Sequence, residues 1–201
     1  MRDTKEKILL TALRLFARDG YEAVSVSQIA GALGMTKGAL YKHYKNKRDI
    51  FDSIVARMET LDAERAAQFD LPTGTPEQTA DEYARASVES LIAYSRAQFR
   101  YWTEEEFPSC FRRLLTLEQY RSAEMGALYQ QYLAAGPLGY VADLFAALGL
   151  PEPQVLATFF YGPMHLLYAC YDGAADQTPA GALLDEHLER MRALLQNGGN
   201  E

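Results

Sequence analysis

The stretch Gln28–Lys47, QIAGALGMTKGALYKHYKNK, constrains the fold of this chain more than any other part of the sequence. It holds two short helical patterns separated by a tight turn. The first pattern ends at Leu33, and Gly34 follows at the position where a residue with positive φ commonly ends a helix. Thr36 can then cap the start of the second helix. The order of helix, tight turn and helix predicts a helix-turn-helix motif.

The residues before this stretch strengthen the prediction. Ser25 with Gln28 three residues later forms the pattern of a capping box at the start of the first helix. Asp3 or Thr4 can cap a leading helix, which Gly20 ends. An apolar stripe at i, i+4, i+7 and i+8 gives that leading helix one inward face, formed by Ile8, Ala12, Leu15 and Phe16. Three helices are thereby predicted in an N-terminal domain.

The outward face of the second helix suggests contact with nucleic acid. Leu40 and Tyr44 share its inward face, and the outward residues near its start are Lys37, Gly38, Tyr41, Lys42 and His43. A helix N-terminus and lysine side chains both suit phosphate, and tyrosine and histidine can donate hydrogen bonds to it. The alternative is a solvated helix with ordinary lysines. The predicted helices around it favour a helix that enters the major groove.

The run ILLTALRLFARDGYEAVSVSQIAGALGMTKGALYKHYKNKRDIF closely resembles the N-terminal DNA-binding domain of TetR-family transcriptional regulators. The resemblance implies an all-α fold, with a helix-turn-helix domain at residues 1–47 and an effector-binding and dimerisation domain at residues 48–201, bridged by helix four. It also implies that Lys47 starts helix four and contacts phosphate, whereas Tyr44 packs in the core. The operator contacts that it implies are Ser25, Thr36, Lys37, Gly38, Tyr41, Lys42, His43 and Lys47.

The charge distribution agrees with a DNA-binding N-terminal part. The chain of 201 residues has a net charge of −7. Residues 1–55 carry ten Lys or Arg against six Asp or Glu, whereas residues 56–201 carry ten against twenty-one. All six lysines lie at or before Lys47. A basic module joined to an acidic remainder is typical of a DNA-binding domain attached to a domain that does not bind DNA.

The remainder of the chain also shows helical periodicity. Helix four is predicted from Lys47 to Phe69, and Leu71–Pro76 reads as a linker. Thr75, Pro76 and Gln78 then start a helix that is predicted to reach Tyr101. Its inward positions are Tyr83, Ala84, Val88, Leu91, Ile92, Ser95 and Phe99.

The segment after Tyr101 is ambiguous. Thr103 with Glu106 reads as a capping box, but Pro108 fits poorly in the helix that such a box starts. We therefore expect a break near Phe107, followed by a short helix through Phe111, Leu114 and Leu115. A longer helix follows, with Met125, Leu128, Tyr129, Tyr132 and Leu133 on one side, until Gly136-Pro137 interrupts it. The acidic run Glu104–Glu106 is expected to be the first turn of a helix and not a cation site.

The run from Val155 to Tyr171 contains no charged residue. It is short for a membrane span and lacks basic flanks, so a helix buried between its own domain and a partner is preferred. An amphipathic helix from Pro179 to about Gln196 ends the chain, before a tail, NGGNE, that is expected to fray. Two such C-terminal helices suggest a homodimer, as the family resemblance also implies. The predicted interface residues are Leu156, Phe159, Phe160, Leu167, Leu184, Leu188, Met191 and Leu195.

No catalytic pattern is present in the sequence. It has no HExxH, GxSxG, Walker or dinucleotide-binding motif, and His43, His165 and His187 are scattered. We therefore expect no enzyme activity, cofactor or metal. Cys110 and Cys170 are expected to be buried thiols in a reducing cytoplasm, since no signal-like segment starts the chain.

The part beyond residue 55 holds ten of the thirteen tyrosines and the single tryptophan. Such side chains combine a flat apolar face with a hydrogen-bond donor, which suits a pocket for a small organic molecule, although core packing explains them equally well one by one. The candidate pocket residues are Phe99, Trp102, Phe107, Met125, Tyr129, Tyr132, Tyr161, His165 and Tyr168. The family resemblance implies an effector pocket in this part, and together these features give the hypothesis of a repressor that a small ligand releases from a palindromic operator. An activator, a regulator controlled by a protein partner, a helical enzyme and a structural DNA-bridging protein are the alternatives.

Overall fold

The computed structural model describes residues 2–66, 68, 71–72, 74, 80–83 and 86–197. Every regular element in these ranges is an α-helix, so the predicted all-α class is confirmed. The helices are α1 (Arg2–Asp19), α2 (Val26–Ala32), α3 (Lys37–Leu40), α4 (Lys47–Ala66), α5 (Ala80–Tyr83), α6 (Val88–Glu104), α7 (Glu106–Glu118), α8 (Ala123–Leu133), α9 (Ala135–Ala147), α10 (Pro153–Gly173) and α11 (Thr178–Asn197).

The helices form two compact units that do not follow the chain order. The first unit combines the residues up to Asp62 with Glu106–Tyr129, and the second combines Ala63–Glu105 with the residues from Gln130 onwards. Helix α7 therefore belongs to the same unit as the N-terminal helices, and it packs along α1. The core of the first unit is made of fully buried apolar side chains, among them Ile8, Leu13, Phe16, Ile29, Leu40, Phe51 and Phe111.

The predicted starts of α2 and α3 are confirmed, but α1 and α3 differ from prediction. Helix α1 already includes Arg2, so neither Asp3 nor Thr4 caps it. Helix α3 ends at Leu40, and the chain continues as a turn instead of a helix through Tyr44. The backbone N–H groups of His43 and Tyr44 both donate to the Leu40 carbonyl, which closes this turn. The outward residues from Tyr41 on thus lie on a turn.

The second unit is built on α6, α9, α10 and α11. Helix α10 packs against the other three, and Phe160 at its centre meets Phe145 of α9 edge-on, with ring centroids 5.7 Å apart. Of the inward positions predicted for the last helix, His187 is half-buried, and the four others are buried, namely Leu184, Leu188, Met191 and Leu195. No helix in the described part of the chain is long and apolar enough to cross a membrane.

The helix predicted to reach Tyr101 is not continuous. Helix α6 begins at Val88, with the Ser87 hydroxyl accepting the Ser90 N–H at 3.1 Å. Several predicted residues lie outside the described residues, namely Phe69, Thr75, Pro76, Gln78, Ala84 and the tail beyond Asn197. Of the other inward positions, Tyr83, Leu91, Ile92, Ser95 and Phe99 are buried and Val88 is half-buried.

The capping-box pattern at Thr103 and Glu106 does not start a helix, and the break expected near Phe107 lies two residues earlier. Thr103 lies inside α6, and its hydroxyl donates to the Phe99 carbonyl at 2.7 Å. The break falls at Glu105, and Glu106 begins α7. Pro108 occupies the third position of α7, where a backbone N–H has no partner within the helix, so the proline is tolerated. Only Glu106 of the three glutamates is therefore in a first helical turn.

The two cysteines have different environments. Cys110 on α7 is buried, as predicted. Cys170 on α10 is exposed, so the prediction of a buried thiol is wrong there. Cys170 follows Leu166 by one helical turn on a side of α10 that the second unit leaves uncovered.

Candidate nucleic-acid interface

Local side-chain hydrogen bonds set the start of both helices in the helix-turn-helix. The Ser25 hydroxyl accepts the Gln28 N–H at 3.2 Å, and the Gln28 side chain accepts the Ser25 N–H at 2.7 Å. This is the reciprocal capping box that the sequence predicts. Gly34 has φ of +64° in the turn after α2, a conformation that glycine adopts without strain. Thr36 then caps α3 by accepting the Ala39 N–H at 3.1 Å.

Most of the residues predicted to contact the operator are exposed on the helix-turn-helix of the first unit. Ser25, Thr36, Lys37, Gly38, Tyr41 and Lys42 are exposed, and His43 is half-buried. The Lys37 ammonium lies 5.6 Å from the centre of the Tyr41 ring, which is 43% exposed, so the two side chains share one surface. The Ser25 and Thr36 hydroxyls accept capping hydrogen bonds and retain their own proton for donation. Hydroxyl, ammonium and phenol donors side by side suit a phosphate backbone.

Lys47 differs from these residues because its ammonium is already bonded within the protein. It donates to the Tyr21 carbonyl at 2.9 Å and lies 4.2 Å from the centre of the Tyr21 ring. The Glu22 carboxylate is 3.6 Å away. The side chain of Lys47 is only 23% exposed. Lys47 starts α4 as the resemblance implies, and its phosphate contact stays a prediction.

The structure reveals polar contacts from α7 and α8 to the N-terminal part of the chain that the sequence did not predict. Glu118, the last residue of α7, is buried and accepts the Tyr21 N–H at 3.0 Å. Glu124 at the start of α8 binds the guanidinium of Arg48 through both carboxylate oxygens. A signal for Glu118 was present, because it follows the buried Leu114 by four residues and so occupies an inward position of α7. A charged residue at such a position indicates a buried polar partner.

Burial and ion pairing shift the pKa of several groups in the first unit. Burial raises the pKa of the Tyr44 phenol to about 12, with a smaller contribution from Glu6, and Tyr44 is in the core as expected. The hydrogen bond from Arg14 lowers the pKa of the Glu106 carboxyl. Neither group belongs to the exposed surface around α3. Within the described ranges, no three His, Cys, Asp or Glu side chains come close enough together to hold a metal ion.

The predicted ligand-pocket residues are divided between the two units. Phe107, Met125 and Tyr129 belong to the first unit, and the other six belong to the second. In the second unit, ring contacts join four of them in series. Phe99 stacks on Tyr168 at 5.3 Å, Tyr168 meets His165 at 6.4 Å, and His165 meets Tyr161 at 6.1 Å. Trp102 and Tyr132 form a separate edge-on pair at 6.4 Å. Whether these residues bind a ligand stays a prediction.

A cleft of about 300 Å³ opens beside this aromatic series in the second unit. Phe99 and Leu184 form buried parts of its lining, and Phe99 is the one member of the predicted set that reaches it. Charged residues from α6 and α11 lie in its lining, and Arg96 there is paired with Asp185 at 2.6 Å. The volume is at the lower limit for pockets that hold small organic molecules.

The predicted dimer-interface residues are mostly buried within the second unit. Phe160, Leu167, Leu184, Leu188, Met191 and Leu195 are buried, and Leu156 is half-buried. Phe159 alone is exposed, at 63%. Other large apolar side chains on the same two helices are exposed instead, namely Val155, Leu166, Leu183 and Leu194. The burial of the first six side chains reflects packing between helices of one chain.

Comparison with known proteins agrees with this geometry. Residues 8–54 match the family model of the bacterial regulatory proteins of the tetR family. The chain is similar to the HTH-type transcriptional regulator AcrR of Shigella flexneri, with 35% identity over 99 residues. That match covers 47% of this chain and 45% of AcrR, so it spans less than half of the relative.

Two solved structures show the same fold over nearly the whole chain. A regulator from Mesorhizobium loti that is assigned to the TetR family shares 19% identity, with a TM-score of 0.58 and 96% of each chain covered. SmeT of Stenotrophomonas maltophilia, solved as a complex with triclosan, shares 19% identity, with a TM-score of 0.61 and coverage of 94% of this chain and 90% of SmeT. Residues 8–54 thus match the helix-turn-helix domain of the bacterial regulatory proteins of the tetR family, and the rest of the chain shares its fold with these solved structures.

Proposed function

We propose that this protein is a homodimeric transcriptional repressor that a small organic ligand releases from a palindromic operator. The observation that carries the proposal is the exposed surface of hydroxyl, lysine and tyrosine side chains around α3. It lies on a helix-turn-helix with both caps in place, within the segment that matches the family model. The residues proposed to contact DNA are Ser25, Thr36, Lys37, Gly38, Tyr41, Lys42, His43 and Lys47.

The dimer is proposed to form through an exposed apolar face on α10 and α11. Val155, Phe159 and Leu166 lie within one narrow sector of α10 at i, i+4 and i+11, and they are 48%, 63% and 64% exposed. Leu183 and Leu194, eleven residues apart on α11, are more than half exposed as well. Exposed apolar side chains on both helices favour a self-complementary contact between two copies. Two copies would present two α3 surfaces to successive half-sites of one operator.

The ligand is proposed to bind in the second unit at the aromatic residues around Phe99. Support comes from the ring series from Phe99 to Tyr161 and from the cleft that opens at Phe99. SmeT is described as the repressor of a multidrug efflux pump and was solved with triclosan, which supports a hydrophobic organic effector for the present chain. Helix α4 runs in sequence from the first unit into the second, so it offers a covalent route for the signal. In this proposal residues 1–47 bind DNA, and residues 48–201 bind the effector and form the dimer.

Trp102 provides a direct test of ligand binding, because it is the single tryptophan and packs against Tyr132. A library of small aromatic and aliphatic compounds would be screened by the quenching or shift of its fluorescence. Compounds that change this signal should also reduce DNA binding. Ligands that bind without any change in DNA affinity would contradict release by the ligand, since only unequal affinity for the two states shifts the equilibrium.

A cytoplasmic location is part of the proposal, because the operator lies there. Activation instead of repression, and control by a protein partner instead of a small molecule, are compatible with the same fold. A reporter gene behind the proposed operator separates them. Deletion of the gene should raise expression if the protein represses, and lower it if the protein activates. Control by a protein partner would be favoured if no compound reduces the DNA binding of the purified protein, but a fraction of cell extract does. Proteolysis of that fraction should then abolish its effect.

A further inference from the structure

A buried carboxylate from α7 holds the turn between α1 and α2. The Glu118 side chain is 3% exposed, although it is an acidic residue at a helix end. One of its oxygens, Oε1, accepts the backbone N–H of Tyr21 at 3.0 Å and also accepts from Nη1 of Arg121 at 3.0 Å. Tyr21 precedes Glu118 by 97 residues. The turn is therefore fixed by a group that lies far outside the segment matched by the family model.

The turn has the shape that this contact requires. Gly20, directly before Tyr21, has φ of +90°, a conformation that side chains disfavour. A Cβ atom at Gly20 would lie 2.7 Å from Oε1 of Glu118 and 2.8 Å from Nη1 of Arg121. Glycine is thus needed here both for the backbone angle and for the close approach of the carboxylate.

The carbonyl group and the ring of Tyr21 also make contacts within the first unit. Its carbonyl accepts from the Lys47 ammonium at 2.9 Å. Its ring lies edge-on to Phe16 of α1 at 5.1 Å and to Phe51 of α4 at 5.3 Å. Ser25, the cap of α2, follows only four residues later. The direction in which the chain enters α2, and with it the position of α3 packed on α2, depends on how Tyr21 is held.

Glu118 differs from Glu106 and Glu124, the carboxylates of α7 and α8 that pair with arginines of α1 and α4. Glu106 with Arg14, and Glu124 with Arg48, are pairs in which both side chains are about half exposed. Such pairs contribute little, because water competes for both partners. Loss of the buried Glu118 oxygen would leave the Tyr21 N–H without its acceptor, in a place where solvent replaces the bond poorly.

We propose that Glu118 is a positioning residue for DNA binding, which acts by holding the Tyr21 N–H and so setting the orientation of α2 and α3. This inference rests on the proposed function, because DNA is the ligand whose contact it serves. Glu118 itself is buried on α7 and does not belong to the exposed surface around α3. Its effect on DNA affinity is therefore indirect, through the α1–α2 turn.

The test compares Glu118→Ala, which removes the acceptor, with Glu118→Gln, which keeps an amide oxygen at the same position. Glu118→Asp shortens the side chain by one methylene and so moves the carboxylate away from the Tyr21 N–H. It replaces Glu118→Ala in the test if the alanine variant does not fold. Glu106→Ala is the matched control, since it removes a half-exposed carboxylate from the same helix. Each full-length variant is first shown to be folded by circular dichroism and by its melting temperature.

The first readout is hydrogen exchange measured by mass spectrometry on peptides that cover residues 17–33, with a peptide from α11 as the internal reference. We expect Glu118→Ala or Glu118→Asp to accelerate exchange around Tyr21 and at the start of α2, with the α11 peptide unchanged. Glu118→Gln and Glu106→Ala should exchange like the wild type. Wild-type exchange in the folded alanine or aspartate variant would overturn the proposal. This readout needs no DNA, so it decides the point even if the proposed function fails.

The second readout is affinity for a labelled duplex from the DNA that flanks the gene of this protein. We expect Glu118→Ala to lose at least about ten-fold in affinity and Glu118→Gln to stay within about three-fold of the wild type. Equal losses in the two variants, or wild-type affinity in the folded alanine variant, would overturn the positioning role. A wild-type protein that does not prefer this duplex over random DNA would count against the proposed function instead.

Discussion

Replacement of Lys47 by methionine separates the structural role of this lysine from its predicted phosphate contact. Methionine retains an unbranched apolar side chain but removes the ammonium group. In the structure that group donates to the Tyr21 carbonyl at 2.9 Å and lies 4.2 Å from the centre of the Tyr21 ring. The substitution therefore removes a charged hydrogen bond and a cation–π contact at once, while the apolar contacts of the stem are kept.

The expected loss of stability follows from these two contacts. A hydrogen bond from a charged group contributes about 1.5–3 kcal/mol. A cation–π contact at a partly exposed site adds about 0.5–1 kcal/mol. Lys47 is 23% exposed, so water can replace part of the lost bonding. We therefore expect Lys47→Met to lower the free energy of unfolding by about 2 kcal/mol.

Urea unfolding followed by circular dichroism measures this change. Lys45→Met is the matched control, because Lys45 is an exposed lysine two residues earlier, and it should change stability by less than about 0.5 kcal/mol. The salt dependence of DNA affinity then tests the phosphate contact. Loss of one contact reduces the slope of log K against log salt by about one. A Lys47→Met protein as stable as the control would refute the structural reasoning.

Three other perturbations test separate parts of the account. Tyr41→Ala should weaken operator binding about ten-fold in anisotropy titrations. The melting temperature should not change, because the Tyr41 ring is 43% exposed. Unchanged affinity would show that Tyr41 does not contact the operator. The double variant Phe159→Glu, Leu166→Glu should be a folded monomer in analytical ultracentrifugation. The control Gln154→Glu, which changes another exposed residue of α10, should remain a dimer. A double variant that remains a dimer would contradict the proposed interface. Because burial raises the pKa of Tyr44 to about 12 from 10.0, its contribution to stability should be complete below pH 10 and be lost as the pH rises from there towards 12, at about 1.4 kcal/mol for each pH unit. Tyr44→Phe should remove this alkaline loss, and an unchanged pH profile would show that Tyr44 does not cause it.

Contacts that are local in sequence could be predicted well. The Ser25–Gln28 capping box, the Thr36 cap and the positive φ of Gly34 each depend on residues within a few positions of one another. Their chemistry is therefore visible in the sequence itself. Helical periodicity likewise predicted the inward residues of α7 and α11.

Competition between local signals accounts for the errors at helix ends. Thr103 and Glu106 match a capping box, but the Thr103 hydroxyl donates within its own helix, and the chain breaks two residues later. Ser87 caps α6 although the apolar pattern continues across it. Pattern alone does not decide which of two compatible caps is used, because packing contributes to that choice.

Contacts between distant residues could not be predicted. Glu118 meets Tyr21 across 97 residues, and nothing near either residue names the other. The exposed face of α10 was also hidden, because the helix is apolar on all sides and periodicity cannot show which side its own unit covers. The structure supplies that information by burying Phe160 and leaving Phe159 exposed.

The central claim is specific DNA binding by the exposed surface around α3. The most direct test is a fluorescence anisotropy titration of the full-length protein against the DNA that flanks its own gene, with random duplex as competitor and increasing salt. The account predicts tight binding that resists the competitor, with two chains per site and an affinity that falls as salt rises. Equal and weak binding to both duplexes would contradict it.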